Sequence, residues 1–117
     1  MTNWDPWNYP ATSGYAPGVT DLAGYSVEAT DGSIGHVDEA THDAGGSYLV
    51  VDTGPWIFGS LVMLPAGVIS QVDVANRKVY VARTKEQIKD SPPYGKDLRD
   101  DATYRDSLGT YYGRPFF

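Results

Sequence analysis

Two histidines and several carboxylates fall close together in this chain: His36, Asp38, His42 and Asp43, with Asp31 a few residues earlier. Imidazole and carboxylate are suitable ligands for zinc or manganese, and a histidine beside an acid can also move protons. His36 and Asp38 alternate, so on a strand they share one face. The competing explanation is solvation, because strand residues next to turns are commonly polar simply through facing water. On that balance no cofactor is expected, and His36, Asp38 and His42 stand as the candidate ligands if a metal is held.

Other chemistries have less behind them. The absence of cysteine removes disulfides, thiolate zinc sites, thiol catalysis and cysteine-ligated iron–sulfur clusters together. A serine nucleophile needs an oriented base, but the serines show no Gly-x-Ser-x-Gly context and both histidines lie in one short stretch. The glycines of Asp31-Gly32-Ser33-Ile34-Gly35 suggest a phosphate loop, yet no Gly-Lys-Ser/Thr follows, so they are expected at turns and bends. No catalytic residue is assigned, and the chain is expected not to be an enzyme.

The aromatic residues are distributed unevenly. Ten of fifteen lie outside the central β-rich segment: Trp4, Trp7, Tyr9 and Tyr15 before it, Tyr94, Tyr104, Tyr111, Tyr112, Phe116 and Phe117 after it. Disordered tails are poor in such side chains, so these arms are expected to pack on something. They either fold back on their own barrel and extend its core, or wrap a second copy or another protein as interface anchors. The second reading is favoured here, homodimerisation above all. Trp56-Ile57-Phe58 joins the same surface, because three large apolar residues in a row cannot all point inward on one strand. The candidate interaction surface is therefore Trp4, Trp7, Tyr9, Tyr15, Trp56, Phe58, Tyr104, Leu108, Tyr111 and Tyr112.

The elements that position these groups read as all-β. Residues 1–20 are rich in Pro and Gly and lack apolar periodicity, which marks an N-terminal arm. Short β-branched and aromatic runs then predict strands at about Ser26–Ala29, Ile34–Ala40, Tyr48–Asp52, Leu61–Leu64, Val68–Val72 and Lys78–Ala82. Thr30-Asp31-Gly32-Ser33, the stretch from His42 to Gly46, and Asp73 to Arg77 are the expected turns. Strands this short cannot bury both faces as an open sheet, so closure into a small barrel is expected over residues 21–93. Thr84 and Gln87 stand in capping-box spacing at a helix start, which Ser91-Pro92-Pro93 ends. In the C-terminal arm, residues 94–117, Tyr104, Leu108, Tyr111 and Tyr112 fall on one helical face, with Gly109 against the pattern.

The formal net charge of the 117 residues is −6, and its sign is split along the chain. All nine Lys and Arg lie at Arg77 or later and nine of fifteen acids at or before Asp73, giving −9 for residues 1–76 and +3 for 77–117. The C-terminal third is thus expected to be held against the acidic part, within one molecule or between two copies. Overall acidity argues against nucleic acid and against anionic membrane surfaces as partners. The uncharged stretch from Gly54 to Ile69 is too short and too broken by Gly59, Pro65 and Gly67 for membrane insertion. The start lacks a signal-peptide pattern, so a cytoplasmic location is expected.

Taken in order, these motifs resemble the PRC-barrel family. The run Val27 to Gly32, Ile34-Gly35-His36-Val37, Leu49-Val50-Val51, Val62-Met63-Leu64-Pro65 and Val72-Asp73 before Val79-Tyr80-Val81 follows the family's core over about residues 20–92. Asp52–Gly59 and Tyr111–Gly113 look like the short stand-alone actinobacterial members. The resemblance implies a six-stranded antiparallel barrel. It also implies a role in protein contacts, as in the family's members in the photosynthetic reaction centre and in ribosome maturation. The membrane helix of the first and the additional domain of the second are not seen in this sequence. The function expected is a non-enzymatic interaction or assembly module, homodimeric or bound to an unidentified protein. The alternatives are a small metal- or ligand-binding barrel and, by analogy with the reaction-centre member, an accessory of a membrane electron-transport complex.

Overall fold

A computed structural model describes residues 6–10, 13–15, 21–40, 47–53, 61–92 and 94–113. The β-rich segment forms β1 (Ser26–Ala29), β2 (Gly32–Ala40), β3 (Tyr48–Asp52), β4 (Leu61–Pro65), β5 (Ile69–Asp73) and β6 (Lys78–Val81). Two helices follow, α1 (Lys85–Lys89) and α2 (Ala102–Gly113). The strands make one sheet in the order β4-β3-β2-β1-β6-β5.

That sheet corrects two expectations. It is mixed, since β1 pairs parallel with β6 while the other four pairings are antiparallel. It is also not closed, because β4 and β5 stand at opposite ends of the strand order. The mixed pairing has its cause in the connection at Ala66–Val68, a 3₁₀ turn that joins β4 to β5. The chain does not reverse there: β5 is antiparallel to β6, β6 parallel to β1, and β4 antiparallel to β1 by way of β2 and β3. One missing reversal changes the parity and leaves β6 running with β1. Only four peptide steps separate Pro65 from Ile69, so the two edges stand within about 14 Å of each other there and the sheet must curl. It is curled like a barrel without a ladder across the seam.

Bulges shape the long strand β2. Ile34 is the extra residue opposite Val27 and Glu28, and Asp38 the extra residue opposite Val51 and Val50. Next to the first bulge, Gly35 has φ +150°, and a Cβ placed there would lie 2.0 Å from the Asp52 carbonyl oxygen. A side chain has no room at this approach of β2 to β3.

The interior is filled by Val27, Val37, Leu49, Val51, Val62, Leu64, Ile69 and Val79, all buried. On β3 and β4, however, both faces are buried. Tyr48 pairs with Pro65 and Val50 with Met63, which puts these four on the outer face, and residues 6–7 and α2 lie beside them. Trp7 O accepts from Ser47 N at 2.8 Å and Pro6 O from Gly67 N at 2.9 Å. The Arg105 guanidinium lies 4.9 Å from the Trp7 ring centre and 5.3 Å from that of Tyr48.

Helix α1 has the expected capping box: Gln87 N donates to Thr84 Oγ1 at 3.1 Å, and Thr84 N to Gln87 Oε1 at 2.8 Å. Asp101 caps α2 through Tyr104 N at 3.0 Å. Three side chains then pin α2 to the segment before it: Tyr104 OH donates to Pro92 O at 3.1 Å, Tyr111 OH to Gln87 O at 2.5 Å, and Arg83 Nη2 to Tyr112 O at 2.7 Å. The last also places a cation at the carbonyl end of the helix, where the backbone dipole favours it. Among the described residues no helix is long and apolar enough to cross a membrane.

Candidate contact surfaces

One residue from each strand lies in register across the sheet: Leu61, Asp52, His36, Ser26, Lys78 and Asp73, from β4 to β5. Directly paired residues share a face. Farther along the same face Tyr80 pairs with both Glu28 and Gln71. From β2 to β5 these side chains are exposed or half-buried, while the alternating Val27, Val37, Val72 and Val79 are buried inside. The outer face of β2, β1, β6 and β5 is thus polar, with the half-buried ring of Tyr80 among Glu28, Gln71 and Lys78. Both charge signs occur on it. Asn76 donates to Asp73 Oδ1 at 3.1 Å and Oδ2 at 2.8 Å, and these bonds hold the Asp73 carboxyl below the usual carboxylate range.

His36 and Asp38 do not form one site. His36 lines an open cleft of about 530 Å³ with Ser33, Gly35, Asp52, Thr53 and Lys85. Thr53 Oγ1 is buried there without a hydrogen-bond partner among the described residues. Asp38, displaced by its bulge, lines a different and smaller pocket of about 220 Å³ with Glu39, Val50, Leu61, Tyr94 and Arg99. Among the described residues no three His, Asp or Glu side chains are placed to hold a metal ion. His42 lies outside the described residues.

The arm candidates among the described residues lie in or against the chain's own core. Tyr15, Tyr104, Leu108 and Tyr112 are buried, and Trp7, Tyr9 and Tyr111 are half-buried beside them. Tyr9 meets Tyr15 edge-on at 4.8 Å between ring centres, and burial pushes the Tyr9, Tyr104 and Tyr112 hydroxyls well above the usual phenol range. Trp4, Trp56 and Phe58 lie outside the described residues. The split in charge is met within one molecule where Arg99 pairs with Glu39.

Sequence reasoning did not single out Tyr80, Arg83, Arg99 or Arg105. The signal for Tyr80 was available, since it alternates with the buried Val79 and Val81. The arginines carried none, because each acts across the fold on a residue at least 29 positions away. No protein-family model matches the chain, and no curated protein matches it either.

Proposed function

We propose that this chain is a non-enzymatic protein-contact module of the PRC-barrel type, and that its first partner is a second copy of itself. The observation that carries this reading is the inequality of the sheet's two outer sectors. The β3–β4 sector is covered by α2 and the N-terminal arm, whereas the face of β2, β1, β6 and β5 has no such cover among the described residues and carries Tyr80 amid charges of both signs. A surface with both signs suits an isologous contact, in which each patch meets its own copy. Val74, 49% exposed at the β5–β6 turn, adds apolar area at its margin. Tyrosine is a favoured anchor at such interfaces, while a mostly polar rim keeps the contact modest and reversible.

The arms support this contact from behind by completing the core. The motif order of the sequence supports the family, and the curled six-stranded sheet is compatible with a barrel relative whose seam lies between β4 and β5. Dilution of isotope-labelled protein followed by amide NMR tests the reading. Concentration-dependent shifts at Ser26, Glu28, Lys78 and Tyr80 are expected; shifts confined to α2 and residues 6–15 would move the interface to the arms and reject the sheet face.

A further inference from the structure

We propose that the pocket beside Asp38 is an anchor site for one cationic side chain, arginine or lysine, presented by a different protein. The inference rests on reading the chain as a contact module, but not on the dimer. At about 220 Å³ the cavity falls below the range of roughly 300–1,000 Å³ typical of small-molecule sites, and it suits a single long side chain.

Its walls differ in chemistry. Val50 and Leu61 supply an apolar floor against which an alkyl stem can lie. Tyr94 supplies an aromatic wall, and an aromatic face attracts a cation. Arg99 closes one side and is itself held, its Nε donating to Tyr48 OH at 2.7 Å and its Nη2 paired with Glu39. Glu39 is therefore engaged from within the chain. Asp38 is not: its exposed carboxylate makes no hydrogen bond or ion pair among the described residues. The β-bulge takes Asp38 out of the ladder, and bulges recur where a side chain is re-aimed toward a site. The chain's net charge of −6, with −9 in residues 1–76, adds long-range attraction for a basic partner.

The full chain, isotope-labelled, is titrated with Nα-acetyl-arginine methylamide and, separately, with the citrulline analogue, which has the same shape and no charge. The arginine probe is expected to shift the amides of Glu39, Val50, Leu61 and Tyr94, and to bind more tightly than citrulline. Asp38→Asn should weaken arginine binding by about threefold and leave citrulline binding unchanged. Glu86→Gln, which alters an exposed carboxylate on α1 that is not among the pocket's lining residues, should change neither. Equal binding of both probes, indifferent to Asp38→Asn, would overturn the cationic occupant in favour of an apolar one. Absence of shifts at these amides up to the solubility of the probes overturns the site. Neither result bears on self-association, which is measured by mass.

Discussion

At the residue scale, the most constrained position is Gly35. A methyl group there meets the Asp52 carbonyl at 2.0 Å, on a backbone with φ +150° that L side chains rarely adopt. Gly35→Ala is expected to cost about 3 kcal/mol or more in urea unfolding, because neither backbone can yield without breaking the β2–β3 ladder. Tyr112 makes the opposite case. Its hydroxyl is buried beside Ser91 without a well-formed hydrogen bond among the described residues, so Tyr112→Phe should change stability by less than about 1 kcal/mol. Tyr104→Phe removes the bond to Pro92 O and should cost about 1 kcal/mol in the same assay. Equal losses for the two phenylalanine variants would contradict the placement of α2. Of these positions, the glycines after Asp31 were legible as turn and bend residues, but the collision at Gly35 was not, because it depends on a strand that arrives from the other side.

At the element scale, the six strands and α1 were legible because apolar alternation and turn residues punctuate each other from Tyr25 to Ala82. The direction of β6 was not. Pro65-Ala66-Gly67-Val68 reads equally as a reversal or as a step forward, and that ambiguity alone decides whether the sheet is antiparallel or mixed. The destination of the arms had a readable sign. Tyr48-Leu49-Val50-Val51 and Leu61-Val62-Met63-Leu64 are unbroken apolar runs, which belong to strands buried on both faces, so something had to cover β3 and β4. Helix α2 is expected to be that cover: Leu108→Ala should destabilise the chain by about 3 kcal/mol, since Leu108 is fully buried. Gly109→Ala should do the reverse. Its Cβ would lie 3.5 Å from Pro6 and Trp7, ordinary contact, while helix propensity gains about 1 kcal/mol; a loss on thermal melting would show that residues 6–7 cannot yield.

At the scale of the whole molecule, burial of aromatic arms links stability to alkaline pH. Tyr9, Tyr104 and Tyr112 are held protonated by desolvation in the folded chain, while the unfolded chain releases the same protons near pH 10. Above that pH the unfolded state binds fewer protons, so stability falls as pH rises, and the phenolate absorbance of these residues should appear together with unfolding. Phenolate formation complete before the loss of β structure would contradict their burial. The same burial leaves the face of β2, β1, β6 and β5 uncovered among the described residues, and the proposed self-association runs through it. Light scattering on the full chain and on Tyr80→Glu tests it most directly. Twice the 12.7 kDa chain mass is expected for the full chain, falling on dilution, and a monomer for the variant with its melting temperature retained. A monomer at every concentration, or a dimer that Tyr80→Glu leaves intact, would contradict it.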